Sequence, residues 1–223
     1  MNNTLCVCIV DDDTEARVTL EQRLDEKRIG VITFASAEEL LESDEFDRIG
    51  CFVLNVELRK VSGLDLQAKL RRQLSPAPTV VTSGDAVVRD AIRAFEEGAS
   101  AFFEKPYDDR LLADAVHELL TAECERRRIV DDRNHRLATL SERECDVAER
   151  LILGRSIKTI ARELGISPST AEKHRTSILQ KTRIDTVVEL TRLMTLELAS
   201  PSQHAVRRGR VACRAGSVAS GRK

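Results

Sequence analysis

The sequence is poor in aromatic residues and has no long apolar run. Phenylalanine, tyrosine and tryptophan together make up 3% of its 223 residues, and tryptophan is absent. This composition argues against proteins that bind single-stranded nucleic acid by stacking bases on rows of aromatic side chains. No apolar stretch approaches the roughly 20 residues that span a bilayer, and the amino terminus lacks the pattern of a signal peptide. We therefore expect a cytoplasmic protein with an aliphatic core.

Cysteine pairs and metal-ligand patterns are also missing. The six cysteines are scattered with no CxxC pair, and several lie in apolar, strand-like or helical patterns. These features favour reduced thiols in a cytoplasm. His174 has no second histidine at ligand spacing, so packing is its favoured role and no metal site is predicted.

Charge is distributed unevenly along the chain. The net charge is −2, but residues 1–120 contain 14 Lys and Arg against 24 Asp and Glu, whereas residues 121–223 contain 21 against 13. The length fits two small domains better than one. The basic second region is what a nucleic-acid binder requires.

Strand-like and helical patterns alternate through the first 124 residues. Apolar runs predict strands at residues 5–10, 30–34, 50–54, 79–82 and 101–103, and each run is followed by helical spacing of apolar residues. Five such units predict an α/β fold with a doubly wound, five-stranded parallel sheet. Ligands bind at the carboxyl ends of such strands, where the sequence places Asp11, Asp12, Asn55, Ser83 and Lys105. Carboxylates and a lysine together would suit a divalent cation facing a phosphoryl group.

The motifs at these strand ends resemble those of a two-component receiver domain. They are Ile-Val-Asp-Asp at 9–12, Gly-Ala at 98–99 and Phe-Phe-Glu-Lys-Pro at 102–106, and the resemblance covers residues 4 to about 124. It implies a flavodoxin-like receiver with a pocket formed by Asp11, Asp12, Ser83 and Lys105. It also implies a switch aromatic at Phe102, for which a buried strand aromatic is the alternative interpretation.

Asn55 stands where this family has its phosphorylated aspartate. A neutral carboxamide is a poor nucleophile and adds no charge to a metal site, so conventional phosphorylation should fail. Glu57 and Asp65 do not occupy the matching position, and the bulky Val56 disfavours deamidation. The sequence thus predicts a pseudo-receiver that needs no cofactor and binds Mg²⁺ weakly if at all.

Two further expectations concern the surroundings of this pocket. Lys105 can still pair with Asp11 and Asp12, which would neutralise the carboxylate cluster and leave the pocket as a structural relic. Arg59 replaces a proline that the family usually has four residues after its aspartate, so the loop beside the pocket is changed as well.

The second region predicts four short helices. Ser141 and Glu144 form a capping box, and the helix that begins there ends at Gly154. A second helix follows Ser156, and a third begins at Ser167-Pro168 after Gly165, which is the pattern of a helix-turn-helix. The fourth is predicted over residues 186–198. The full fold class is therefore a receiver-like α/β domain followed by a small all-α domain.

This second region resembles a LuxR/FixJ-type DNA-binding domain. The matching motifs are Leu-Ser-Glu-Arg-Glu at 140–144, Ile-Ala at 160–161, Ile-Ser at 166–167 and His-Arg at 174–175. The resemblance implies that Glu172, Lys173 and Thr176 read bases in the major groove. It implies that Lys158, Arg175 and Lys181 mainly hold phosphates.

Domain limits follow from these assignments. We predict a receiver-like domain at 1–124, a linker at 125–136, a DNA-binding domain at 137–199 and a disordered basic tail at 200–223. The arginines at 126–128 fit a solvated linker better than a phosphate contact. The tail contains six Lys and Arg and no acidic residue.

We therefore expect a transcriptional regulator of the FixJ/NarL type that binds double-stranded promoter DNA as a homodimer and is not an enzyme. The resemblance places the dimer face on the helix over residues 87–97 and the strand after it. RNA polymerase and a sensor kinase or other regulatory protein are further partners that it allows. Alternatives are a mixed-dimer antagonist of an intact relative, a phosphorylation-gated regulator with another acceptor, and a phosphoryl-handling enzyme, against which Asn55 argues.

Overall fold

A computed structural model describes residues 5–85 and 88–195, without the side chains of residues 73 and 74. The chain divides into two compact units after Arg127. No helix in the described ranges is long and apolar enough to cross a membrane.

The first unit contains a five-stranded parallel sheet in the order β2-β1-β3-β4-β5. The strands are β1 (Cys6–Val10), β2 (Val31–Phe34), β3 (Ile49–Asn55), β4 (Thr79–Ser83) and β5 (Ala101–Glu104). Its helices are α1 (Thr14–Asp25), α2 (Ala37–Glu42), α3 (Gly63–Lys69) and α4 (Val88–Glu96). Helix α5 (Asp109–Ala138) begins in this unit and continues beyond Arg127. A 3₁₀ turn precedes β3 at Phe46–Arg48, and a π-helical turn follows α3 at Leu70–Leu74. The predicted fold class is confirmed.

Apolar clusters cover both faces of this sheet. Val7 and Ile9 of β1 pack in one cluster with Leu112 of α5, whereas Cys8 and Val10 pack in the other with residues of α2 and α3. β1 and β3 are buried along their whole length because helices cover both of their faces, which explains the apolar runs at residues 6–10 and 51–54. The free thiol of Cys51 is fully buried, which raises its pKa to about 12.

Helix α5 differs from the prediction. The sequence predicted a helix end near Cys124 followed by a solvated linker, but the helix continues to Ala138. Glu123 is 4% exposed and accepts hydrogen bonds from Arg126 and Arg127, one turn further along. Such pairs stabilise a helix. Arg127 also donates to the carbonyl oxygens of Asp47 (2.7 Å) and Ile49 (2.6 Å), so these two arginines are not a solvated linker.

The second unit contains α6 (Glu142–Ile152), α7 (Ile157–Leu164), α8 (Pro168–Thr182) and α9 (Val187–Thr195). The predicted capping box at Ser141 is present, and Ser156 and Ser167 cap the next two helices. Gly165 ends α7 with a φ of 65°, a conformation that glycine adopts without steric strain. The last residues of the predicted fourth helix, the tail at 200–223 and Cys213 lie outside the described residues.

Candidate functional site

The parallel strands bring the predicted pocket residues to one edge of the sheet. Asp11 follows β1, Asn55 ends β3, Ser83 ends β4 and Lys105 follows β5. Hydrogen bonds join Asp11, Asp12, Asn55 and Lys105 directly. Ser83 bonds elsewhere, to a carboxylate that the sequence analysis did not assign to it.

Asn55 is the centre of the first group. The residue is 4% exposed, and its Nδ2 donates to Asp11 Oδ1 at 3.1 Å and to Asp12 Oδ1 at 3.5 Å. Its Oδ1 is buried without a hydrogen-bond partner among the described residues. The nitrogen of the carboxamide thus donates hydrogen bonds to both acidic side chains.

Other donors neutralise the same two carboxylates. Lys105 Nζ lies 2.8 Å from Asp11 Oδ2, which confirms the predicted pairing with that residue. Arg59 Nε lies 3.4 Å from Asp12 Oδ2, so the arginine that replaces the family's proline also reaches the pocket. The amide of Asp13 donates to Asp11 Oδ1 at 3.0 Å. Each of the four carboxylate oxygens therefore has a protein donor.

This donor arrangement does not fit a divalent cation. Mg²⁺ needs oxygen ligands at short distance, whereas Asn55 directs N–H groups toward Asp11 and Asp12. Within residues 5–85 and 88–195, no group of three or more His, Cys, Asp or Glu side chains is placed to hold a metal ion. A cation at these carboxylates would meet the N–H groups of Asn55 and the ammonium group of Lys105.

Gly63 fixes the backbone of the pocket and was missed as a site residue. A Cβ at this position would lie 2.0 Å from the carbonyl oxygen of Asn55 and 2.7 Å from its carbonyl carbon. The Gly63 amide also donates to the Val56 carbonyl at 3.1 Å. Helix α3 therefore begins in direct contact with the end of β3, an approach that only glycine permits. A glycine directly after the capping Ser62 was the available signal.

Ser83 and Glu57 form a second group beside the first. Ser83 is fully buried, and its hydroxyl donates to Glu57 Oε1. The amides of Gly84 and Asp85 donate to the same carboxylate at 3.0 Å and 3.3 Å. Desolvation opposes ionisation of Glu57, but these hydrogen bonds outweigh it and lower the pKa of the carboxyl group. From the sequence, Glu57 was excluded as a substitute acceptor and was given no other role.

Phe102 lies on β5 and is half-buried. It packs against a small cluster formed by Leu64, Val81 and Ala94, under α4. This placement agrees with a strand aromatic that contributes to the core, and a role in switching stays a prediction.

Helix α8 presents the predicted base-reading residues on its outer face. Ala171 and Ile178 are buried in the core of the second unit, whereas Lys173 and Thr176 are exposed. A shallow groove of about 340 Å³ runs along the outer face and is lined by Ser169, Glu172, Lys173, Thr176, Ser177 and Gln180. Such a polar helix face has the shape and chemistry to enter a major groove.

Two of the side chains predicted to contact DNA, Glu172 and Arg175, are paired with each other. Arg175 Nη1 lies 2.6 Å from Glu172 Oε1. The Thr176 hydroxyl donates to the Glu172 carbonyl at 3.1 Å. Lys158 on α7 is exposed. Glu172 and Arg175 therefore act as a coupled pair, a contact that their spacing of three residues makes possible.

Lys181 is anchored by a buried carboxylate. Its Nζ lies 2.7 Å from Glu144 Oε2, and the Ser177 hydroxyl donates to Glu144 Oε1 at 2.7 Å. Glu144 is 4% exposed and also accepts from the Ser141 amide at 2.7 Å. Desolvation is outweighed by these hydrogen bonds, and the pKa of Glu144 falls to about 2. The sequence identified Glu144 as a capping residue, but not as the link between α6 and α8.

Comparison with known families and proteins agrees with this division. Residues 7–117 match the family described as response regulator receiver domain, and residues 138–194 match the bacterial regulatory proteins of the luxR family. The transcriptional regulatory protein FixJ of Azorhizobium caulinodans is 35% identical over 209 residues, which cover 92% of this chain and 99% of that protein. The transcriptional regulatory protein TdiR of Thauera aromatica is 36% identical, with 80% of each chain covered.

Solved structures give the same result. The response regulator StyR superposes with a TM-score of 0.66 at 33% identity, covering 85% of this chain and 98% of that one. Full-length FixJ from B. japonicum gives a TM-score of 0.50 at 33% identity, covering 84% and 94%. The chain therefore belongs to the FixJ-type response regulators, DNA-binding transcriptional regulators in which a receiver domain precedes a luxR-family domain.

Proposed function

We propose that this regulator binds promoter DNA without phosphorylation of its receiver. The observation that supports the proposal is the Asn55 side chain, which donates to Asp11 and Asp12. The resemblance implies that Asn55 stands at the position of the acceptor. A carboxamide does not attack a phosphoryl donor to form an acyl phosphate. The receiver then acts through a fixed conformation, or through a ligand or partner protein, and we assign it a binding role with no catalytic step.

On DNA, the proposed roles divide between base and phosphate contacts. Glu172, Lys173 and Thr176 contact base edges, while Lys158 and Arg175 hold phosphates. Lys181 has three N–H donors and a side chain that is 41% exposed, so it binds a phosphate while remaining paired with Glu144. The site of action is the cytoplasm, where RNA polymerase and a sensor kinase or other regulatory protein are further proposed partners.

A homodimer is proposed through α4. Val88, Ile92 and Phe95 are 77%, 54% and 53% exposed, and their spacing places them on one stripe of the helix. An apolar stripe of this kind favours association with a second apolar surface. A symmetric dimer would bind half-sites one helical turn apart, or a multiple of it. The same stripe also supports the alternative of mixed dimers with an intact relative.

The dimer proposal predicts a mass change in solution. Ile92→Asp should convert a dimer of the full-length protein into a monomer in light scattering, whereas Glu21→Ala on the exposed face of α1 should not. Exchange of labelled subunits with an intact relative would favour the mixed-dimer alternative. A wild-type protein that is monomeric at high concentration would contradict both.

DNA binding by the unmodified protein tests the main proposal. We would measure the affinity of the full-length chain and of residues 136–200 for promoter fragments at two salt concentrations, because phosphate contacts dominate affinity. The full-length chain should bind specifically, at least as tightly as the fragment, and without change after Mg²⁺ and acetyl phosphate. Binding by the fragment alone would mean that the receiver masks the DNA face. Stable label on the wild type that disappears in Asp11→Ala would overturn phosphorylation independence.

A further inference from the structure

The end of β4 contains three hydrogen-bond donors that converge on one carboxylate. They are the hydroxyl of Ser83 and the backbone amides of Gly84 and Asp85, and all three donate to Glu57. Successive N–H groups in a turn form a concave site for an anion, and a hydroxyl beside them adds a further donor. We propose that this turn is an oxyanion-binding site whose resident ligand is the carboxylate of Glu57.

The backbone explains how Glu57 reaches the site. Asn55 is in register with Thr82 in the β3–β4 pair, and the Val56 amide extends the ladder by donating to the Thr82 carbonyl at 2.8 Å. The chain then turns, with the Leu58 amide donating to the Val56 carbonyl at 3.0 Å. Glu57 is the residue at this turn, directly beside the end of β4. Its position is therefore set by the sheet.

The charges around the site leave Glu57 as its anion. Lys105, whose amide donates to the Ser83 carbonyl at 2.7 Å, pairs its ammonium group with Asp11. Arg59, two residues after Glu57, pairs with Asp12. Both of these cations thus pair with the carboxylates of Asp11 and Asp12. Glu57 is therefore the anion that the donors at the end of β4 bind.

The consequence concerns how the receiver is held in one conformation. A fully buried hydroxyl and two amides bind an internal carboxylate, so the end of β4 is held in one arrangement without an external ligand. This inference rests on the proposed function and deepens it, because a site filled from within the chain leaves no place for a phosphoryl group beside Ser83. External phosphate or sulfate should bind there only when Glu57 is removed.

Amide hydrogen exchange in the ¹⁵N-labelled full-length protein tests the assignment. In Glu57→Ala, exchange at Gly84 and Asp85 should accelerate about tenfold or more, since both amides lose their acceptor. Inorganic phosphate, added against chloride at equal ionic strength, should then shift both signals saturably and slow their exchange. In the wild type, phosphate should leave both signals unchanged.

Two further variants make the result specific. Glu57→Gln keeps an acceptor oxygen but removes the charge, so amide exchange should accelerate less than in Glu57→Ala. If Glu57→Ala does not fold, Glu57→Gln tests the oxyanion site in its place. Glu21→Ala on α1 should match the wild type. Unchanged exchange in the Glu57 variants, or accelerated exchange without any phosphate effect, would overturn the oxyanion site. Phosphoryl label on the wild type would instead overturn the proposed function, and the two failures are therefore distinguishable.

Discussion

The receiver pocket and the outer face of α8 contain the same kinds of side chain, but they have kept different parts of their chemistry. At the pocket, the Asn55 amide donates to Asp11, and Asp11 pairs with Lys105. On α8, the residues predicted to read bases lie on the outer face, and Lys181 is held in place by Glu144. The comparison teaches that one kind of charged contact can close a pocket in one unit and join two helices in the other.

The two regions also differ in what holds them together. The pocket depends on a close backbone approach and on neutralised carboxylates, so changes there should act through steric clash and charge. The DNA-binding unit depends on helix caps and on one buried carboxylate that joins two helices. Substitutions in each region can therefore test the stability of that unit separately. NMR signals from β1 report on the first unit, and signals from α8 report on the second.

The largest effect is expected from Gly63→Ala. The new Cβ would lie 2.0 Å from the Asn55 carbonyl oxygen, so the start of α3 must move away from β3. We expect the first unit to lose about 4 kcal/mol of stability, in the range of severe core substitutions. Gly30→Ala is the matched control, because its Cβ meets only Cys6 Cβ at an ordinary 3.7 Å. Equal stability of the two variants in urea unfolding followed at β1 would contradict the tight approach.

Asn55→Asp should have the next largest effect. It would remove the amide donor and place a third carboxylate, 4% exposed, beside Asp11 and Asp12. The first unit should lose about 3 kcal/mol without divalent cations, because like charges in a buried site repel. Mg²⁺ should restore most of this loss, because a divalent cation offsets the charge of the three carboxylates. Asn55→Ala controls for loss of the amide alone, and a melting temperature of Asn55→Asp that does not respond to Mg²⁺ would contradict the prediction.

Glu144 gives the DNA-binding unit a dependence on pH. Its pKa of about 2 lies below the ordinary 4.5, so its stabilising contribution is complete above pH 4.5 and is lost as the pH falls toward 2. We expect about 2 kcal/mol, reduced from the full shift because Lys181 is partly exposed. Glu144→Gln should remove this contribution at pH 6 and flatten the dependence on pH between 4.5 and 2. Glu142→Gln, at the neighbouring exposed position, is the control for unfolding followed at α8.

A prediction for Glu144 that fails would also be informative. If Glu144→Gln unfolds with the same dependence on pH as the wild type, another carboxylate of the second unit titrates with folding. The link between α6 and α8 would then be a consequence of the fold and not a determinant of it.

Sequence patterns predicted the elements and most of the pocket, because those depend on local periodicity and on the ends of parallel strands. Asp11, Asn55 and Lys105 were placed at one edge because the carboxyl ends of parallel strands lie together. The contacts that were missed join residues far apart in sequence, such as Glu57 with Ser83, 26 residues away, and Glu144 with Lys181, 37 residues away. No local rule pairs such residues, since their distance is set by packing.

The end of α5 was missed for a related reason. A charged, apolar-poor segment is typical of a linker, but here Glu123 is buried and pairs with Arg126 and Arg127. The pairs at three and four residues were visible in the sequence. The burial of Glu123, which strengthens these pairs, was not visible in the sequence, because it depends on the neighbouring strand β3.

The smallest expected effect compares one arginine in each unit. Arg28, after α1, and Arg183, after α8, have φ values of 60° and 54°, a left-handed conformation that favours glycine. Arg28→Gly and Arg183→Gly should each stabilise their own unit by about 0.5 kcal/mol, because relief of strain exceeds the added entropy of the unfolded chain. Only Arg183 follows the predicted DNA-reading helix, so only Arg183→Gly should weaken DNA binding and reduce its dependence on salt. Equal DNA affinities for both variants, measured at two salt concentrations, would mean that the end of α8 does not approach the phosphates.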